Sequence, residues 1–265
     1  MILALSLVLP LLIGAALGLA GGIFGIGGGI IAIPVMTGLF GMDQKLAQGT
    51  ALVMMVPNLS ISLWRYTQRQ PLPKLRTALL VICSVMATAL TAHYASNLAS
   101  SELRRYFGAF LLWLAIHSLW SLRAGRSRWS FSFPERLIPL VGLVGGTCQG
   151  LISIGGGMIT PPILVTFFRQ TQAIAQGFAI AQVMPSSIVA LLTFSHAGLV
   201  DWQMGVLFAL GGALTVSYGV RIAHRLPERR LRVAFCADAA GHRFVDDRSR
   251  LSFGTMAPSS ESRHA

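Results

Sequence analysis

Residues 22 to 34 read "GIFGIGGGIIAIP" and residues 150 to 162 read "GLISIGGGMITPP". Each segment sets three consecutive glycines inside an apolar run and follows them with a proline. Sliding the chain by 128 residues aligns Gly14 to Pro57 with Gly142 to Pro185 without a gap, and 16 of the 44 pairs are identical. The matched pairs include Gly18 with Gly146, Gly27, Gly28 and Gly29 with Gly155, Gly156 and Gly157, and Pro34 with Pro162. Gln44 pairs with Gln172, Gln48 with Gln176, and Pro57 with Pro185. The pattern is that of a tandem duplication in which one structural device is used twice.

Composition sets the solvent. Hydrophobic residues make up 54% of the chain and charged residues 11%, and the apolar runs are long enough to span lipid. Candidate spans cover Ile2 to Ala20, Leu46 to Leu63, Ala78 to Leu98, Tyr106 to Leu122, Leu137 to Leu151, Ala173 to Ser195 and Gln203 to Val220. Shorter apolar pieces lie at Ile30 to Met42 and Met158 to Phe168. Backbone polar groups in lipid must be satisfied within the segment, so the expected fold class is all-α, a polytopic integral membrane protein. The N-terminus has no Lys or Arg before Lys45 and runs into the glycine segment, so it reads as a retained first helix and not a signal peptide. The formal charge of +12 sits in short loops, Arg65 to Arg76, Arg123 to Arg136 and Arg221 to Arg232, without the interleaved aromatics of a single-strand binder. It reads as a topology signal and not as a nucleic-acid surface. Cys83, Cys148 and Cys236 are scattered and odd in number, which fits packing and neither a disulfide framework nor a metal site.

Loop charge relates the halves. Residues 65 to 76 carry Arg65, Arg69, Lys74 and Arg76, whereas their mates, 193 to 204, hold Asp201 and no Lys or Arg. The weakly charged turn at 95 to 105 maps onto 223 to 233, which holds Arg225, Arg229, Arg230 and Arg232. The basic bias switches sides, as in an inverted repeat. Inversion needs an odd number of net crossings per half, so residues 2 to 42 are expected to form a hairpin that enters and leaves on one face, with the glycines near its bend. Glycines tolerate unusual backbone angles, and the helix restarting near Ile30 or Met158 leaves its first N–H groups unpaired at the positive end of its dipole. Two such ends would make a midplane anion site without a buried Lys or Arg. Tight helix packing is the alternative use for the same glycines.

The paired G-x-G-G-G segments with a downstream proline, each opening a half of about 125 residues, resemble the TauE/SafE, or sulfite exporter, family over residues 5 to about 235. The resemblance implies a multi-pass carrier of the cytoplasmic (cell inner) membrane that moves small organic or inorganic anions, often sulfur oxyanions such as sulfite, or sulfonates. It implies no enzyme activity, no cofactor and no metal. The alternative is a membrane protein that does not transport, but senses an anion or scaffolds a partner.

Other chemistry falls away. "GIFGIGGG" lacks the Gly-Lys-Ser/Thr of a phosphate loop, and the Rossmann spacing fails because position 30 is Ile. Ser153 with His196 lacks a nucleophile motif, and the mate of Ser153 is Gly25. His93 and His117, in or near apolar spans, read first as structural histidines. Asp43, Glu102, Glu135, Asp201 and Glu228 fall at span ends or in loops, which leaves a carboxylate proton relay unsupported. The polar residues in apolar surroundings are Gln48, Asn58, Gln176, Gln182, Ser186, Ser187, Ser153 and Thr160. Uncharged amides and hydroxyls can donate to an oxyanion or can bond between helices. The expected substrate-binding residues are Gly27, Gly28, Gly29, Gln48, Gly155, Gly156, Gly157, Thr160 and Gln176, with Pro34, Pro57, Pro162 and Pro185 structural.

The expected organisation is a first transmembrane repeat at 1–124, a basic cytoplasmic linker at 125–136, a second repeat at 137–236, and a polar, disordered tail at 237–265. "ELRRYFGAFLLWLAIHSLW" enters a helix, whereas the equivalent "RLRVAFCADAAGHRFVDDRSR" turns polar after Phe235, so the last helix of the second half reads as missing. The face left uncovered invites packing by another subunit, as in a homo-oligomer.

Overall fold

The computed structural model describes residues 2–24, 28–69, 72–123, 133–154 and 156–223. Among these residues the secondary structure is entirely helical: α1 (Ile2–Phe24), α2 (Gly29–Leu39), α3 (Gln44–Arg69), α4 (Lys74–Asn97), α5 (Ser100–Arg123), α6 (Ile138–Ile152), α7 (Thr160–Phe168), α8 (Gln172–His196) and α9 (Trp202–Ala223). A short 3-10 turn, Glu135–Leu137, leads into α6. All seven expected spans and both short pieces coincide with helices. The tail, Cys236 and the missing-helix expectation lie outside the described residues.

Among the described residues, three helices are long and apolar enough to cross a membrane: Gln44–Gln68, Lys74–Asn97 and Gln172–His196. By contrast α6 and α7, at roughly 22 and 14 Å from a 1.5 Å rise per residue, fall short of the hydrocarbon thickness. The chain divides into two compact units, Met1–Gly108 with Ser127–Leu226, and Ala109–Arg126 with Pro227–Ala265. The first unit holds everything described below.

In that unit α1 packs along α9 and α4 along α6, while α3 and α8 pack on each other. Both lateral contacts depend on residues without side chains. A Cβ on Gly14 would come within 2.6 Å of the Phe208 backbone, and one on Gly18 would strike Gly212. Correspondingly, a Cβ on Gly142 would strike Leu80 and one on Gly146 would strike Ser84. The two sets differ by the same 128-residue shift in both partners. Spaced four apart, the glycines lie on one face of each helix and let two backbones touch, which is how helices associate where apolar burial supplies no driving force. Hydroxyls reinforce the contacts: Thr88 Oγ1 donates to the Gly146 carbonyl at 3.0 Å, and Thr215 Oγ1 to the Ala15 carbonyl at 2.6 Å.

Chain direction follows from other contacts. The Asp201 N–H donates to Thr50 Oγ1 at 3.0 Å, and Lys45 Nζ reaches the Ser96 carbonyl at 3.2 Å, so the start of α3, the end of α4 and the α8–α9 connection share one end of the unit. Gly177 packs on Leu72 and Arg76 pairs with Glu135, so the α3–α4 connection shares the other end with the starts of α8 and α6. Helices α3 and α8 therefore run in opposite senses. The Phe133 N–H donates to the Phe167 carbonyl at 2.9 Å, which folds α7 back beside the start of α6. Asp201 also accepts from the Met204 N–H at 3.0 Å, a side-chain cap on the first turn of α9.

The outer faces are apolar. On α4, Ile82, Met86 and Leu90 are exposed, the last by 74%; on α9, Leu210, Leu214 and Tyr218 are exposed at the positions 128 residues on. In water such stripes would be a liability, but against acyl chains they are solvated. Inside, Leu52, Met55 and Leu59 of α3 cluster with Val183, Ala190 and Phe194 of α8.

Replacing Gly146 by Val forces a branched side chain into the α4 backbone. Gly146→Val is expected to lower the thermal unfolding midpoint in detergent by several degrees, at a cost of about 1–3 kcal/mol. Gly38→Ala, where nothing lies within 4 Å, should leave the midpoint unchanged.

Candidate functional site

Both glycine segments interrupt a helix beside the middle of a long one. Gly28 caps α2 with φ of 86°, a left-handed conformation that any Cβ would strain. Its own Cβ position lies 2.9 Å from the Leu17 carbonyl and 3.1 Å from Met54 Cε, and that of Gly29 falls on the Met55 thioether. In the second half α6 ends at Ser153, a non-glycine residue at φ of 52°. The chain then turns through Gly156 and Gly157 into α7, with the Thr160 N–H donating to the Gly156 carbonyl at 2.8 Å. A Cβ on Gly156 would strike Gln182 Nε2 and come within 2.8 Å of Gly145 Cα. Gly28 thus lies on Met54, and Gly156 on Gln182, the residue 128 positions later.

The two breaks meet. A Cβ on Gly29 would come within 3.1 Å of the Ser153 carbonyl oxygen, so the first turn of α2 abuts the end of α6. Met54 and Met55 line the junction on the α3 side, and the second half brings buried polar, uncharged side chains to it. Gln182 Nε2 donates to Thr160 Oγ1 at 2.8 Å, Gln149 Nε2 donates to Ser187 Oγ at 2.9 Å, and Ser84 and Ser186 share a hydrogen bond of 2.9 Å. Gln182 Oε1, Gln149 Oε1 and Ser153 Oγ have no hydrogen-bond partner, and both amide atoms of Gln48 and of Asn58 are likewise unpaired. Gln48, Asn58, Gln149, Ser153 and Gln182 are all fully buried. Each unpaired group costs about 1–3 kcal/mol of desolvation in the protein interior, and so many in one unit calls for a ligand or water that satisfies them.

The sequence-based candidates separate accordingly. Gly28, Gly29, Gly156 and Gly157 are buried at the junction, and Thr160 is buried and engaged by Gln182. Gly27 and Gly155 lie outside the described residues. Gln48 and Gln176 occupy matched positions but differ in environment: Gln48 is enclosed and unpaired, whereas Gln176 is half-buried and has an interaction partner. The repeat alignment could not show this difference, because it arises from what packs on each helix. Pro34, Pro57 and Pro185 lie inside α2, α3 and α8, and Pro162 lies in the first turn of α7. Gln149 was not among the expected residues; its signal is a lone amide within the otherwise apolar "GGTCQGLI". Ser153 and His196 do not form a catalytic pair, since Ser153 is enclosed at the break while His196 is exposed at the end of α8.

The sulfite exporter TauE/SafE family matches residues 10–237. The chain belongs to the TauE/SafE family. Among curated relatives, it is 27% identical over 247 residues to a probable membrane transporter protein of Methanocaldococcus jannaschii, covering 86% of this chain and 91% of the relative. It is 25% identical over 222 residues to a probable membrane transporter protein of Xylella fastidiosa, covering 81% and 82% respectively. The YunE probable membrane transporter protein of Bacillus subtilis is 19% identical over 251 residues, covering 86% and 92%. No solved structure matches the chain. Family and apolar helices together identify a membrane protein of a transporter family.

The Gln182–Thr160 bond gives a direct check on the site geometry. A double-mutant cycle with Gln182→Leu and Thr160→Val should return a coupling of about 0.6 kcal/mol, and no more than about 1.7, the range for interhelical hydrogen bonds in membranes.

Proposed function

We propose that this TauE/SafE protein is a secondary carrier or facilitated pathway for a small anion, of the sulfur-oxyanion or organosulfonate class that includes sulfite. It sits as a multi-pass protein in the cytoplasmic membrane and works by alternate exposure of a midplane site between two inverted halves. The observation that carries this reading is the meeting of the two glycine breaks at the middle of α3 and α8, where the buried Gln182 and Ser153 side chains have unused bonding capacity.

The chemistry favours an anion. The helix start at Gly29 supplies N–H groups and the positive end of a dipole, whereas at α7 the Thr160 N–H is already bonded to the Gly156 carbonyl and Pro161 and Pro162 carry none, so that start adds its dipole and the Thr160 hydroxyl. An amide or hydroxyl donates to an oxyanion at a lower desolvation cost than a buried Lys or Arg would incur, and it releases the anion more readily. A carrier needs a site of that moderate strength. As placed, the Gln182 amide donates to Thr160; turned over, it accepts from the Thr160 hydroxyl and frees both N–H groups for a ligand.

Inversion is supported by the exchange of partners. The α1–α9 and α4–α6 contacts use positions related by one shift, Gly14 and Phe208 against Gly142 and Leu80, and α3 and α8 run in opposite senses. Two halves arranged this way have two equivalent ways of leaning on each other, which is the condition for alternating access around a fixed site. The sulfur-oxyanion class rests on the family name, and it fits a site of several neutral donors around one compact acceptor.

Purified protein in liposomes should accelerate uptake of sulfite over empty liposomes. Gly28→Val and Gly156→Val should each reduce that flux to background while inserting normally, because the branched side chain fills the junction. Normal flux in both variants would contradict the site. For topology, cysteines placed at 65–76 and at 223–233 should react from the cytoplasmic side and Asp201→Cys from the opposite side. Labelling of the 65–76 positions and Asp201→Cys from one side would favour parallel halves.

A further inference from the structure

The helix α3 carries a second pattern besides its fit against the glycine break. At about 100° per residue, Gln44, Gln48, Ala51, Met55, Asn58, Ser62 and Arg65 fall on one face, within an arc of about 100°. Gln44, Gln48, Asn58 and Ser62 are buried, and Arg65 is half-buried. The unpaired groups concentrate on this face: Gln44 Nε2, both amide atoms of Gln48, both of Asn58, and Arg65 Nε. The adjoining stripe of α3, Leu52, Met55 and Leu59, packs on α8 and is apolar, so the polar residues beside it are not explained by that contact. The matched face of α8 differs, since Gln176 has a partner and Ser186 is bonded to Ser84.

Position along the helix gives the pattern its meaning. Met55, where Gly29 packs, is near the centre of α3, with Gln48 about two turns towards one end and Asn58 about one turn towards the other. Gly212 faces Asn58, its Cβ position 2.8 Å from Asn58 Nδ2, so the absence of a side chain there leaves room for the amide. Arg65 lies at the end of α3 that carries the basic loop.

We propose that this face of α3 lines the anion's route through the membrane, with Gln48 and Asn58 donating on either side of the glycine junction and Arg65 drawing anions to one mouth. The proposal rests on the anion-carrier reading above and adds the route, its asymmetry between the halves, and the residue that selects for charge. A cation at the mouth raises the local anion concentration, while the neutral amides beyond it prevent the anion from being trapped.

Accessibility tests this without knowing which anion is carried. In full-length protein with Cys83→Ala, Cys148→Ala and Cys236→Ala, single cysteines replace Gln48, Asn58 or, as a control on the opposite face of α3, Val53, which is buried against Gly205. The probes are the anionic sulfonatoethyl and the cationic trimethylammonium-ethyl methanethiosulfonates, applied to protein in liposomes. The expected result is that Gln48→Cys and Asn58→Cys react faster with the anionic probe and Val53→Cys reacts with neither. Adding Arg65→Gln should slow the anionic reaction at Asn58→Cys about tenfold while leaving the cationic reaction unslowed, and Arg65→Lys should restore it. Equal reaction at Val53→Cys, a faster cationic reaction, or indifference to Arg65→Gln would each overturn the proposal. Failure of sulfite flux alongside the expected labelling would revise the substrate and leave the route in place.

Discussion

A helix interrupted inside hydrocarbon leaves backbone N–H and C=O groups that lipid cannot satisfy, so something else must. In this chain the interruption occurs at Gly28 and again at Ser153 to Gly157, and the two sites are pressed together beside the centres of α3 and α8. The surrounding arrangement follows from that need. Short helices α2 and α7 can exist only because long helices shield them, and the long helices must approach closely enough to do so. Glycines at 14, 18, 142 and 146 permit that approach by letting α1 touch α9 and α4 touch α6 at backbone distance. Side chains there would push the outer helices away and open the breaks to lipid.

The same need explains why the interior is polar without being charged. A buried guanidinium or ammonium at the junction would hold an anion strongly and would itself be costly whenever the site was empty. Amides and hydroxyls lose less on burial and can bond to each other when no ligand is present, as Gln182 does with Thr160 and Gln149 with Ser187. The two halves do not contribute equally. Met54 precedes Gln182 by 128 residues and Asn58 precedes Ser186 by the same shift, so positions matched by the shift carry different chemistry.

Most of the helices were legible in the sequence, because apolar runs and tripled glycines each have a local cause. The helix boundaries at Gln44, Lys74 and Gln172 follow short polar or proline-bearing connections, and the glycine triplets mark the breaks. Less legible was which polar side chain would be satisfied. Gln48 and Gln176 look alike in the alignment, yet one is enclosed and unpaired while the other is half-buried with an interaction partner, a difference the alignment does not carry. Gln149 escaped notice for the related reason that its partner, Ser187, lies on another helix. The substrate has no local signature, since neutral amides and hydroxyls suit several small polar ligands.

The most direct test of the midplane site is to locate a bound anion. Selenite, a heavier analogue of sulfite, can be placed by its anomalous scattering in crystals of the full chain. The account predicts a selenium peak at the junction of Gly28 and Gly29 with Ser153 and Gly156, within hydrogen-bonding reach of Gln182 or Thr160. Selenium bound only against the basic loops at 65–76 or 123–136, with none at the junction, would contradict it.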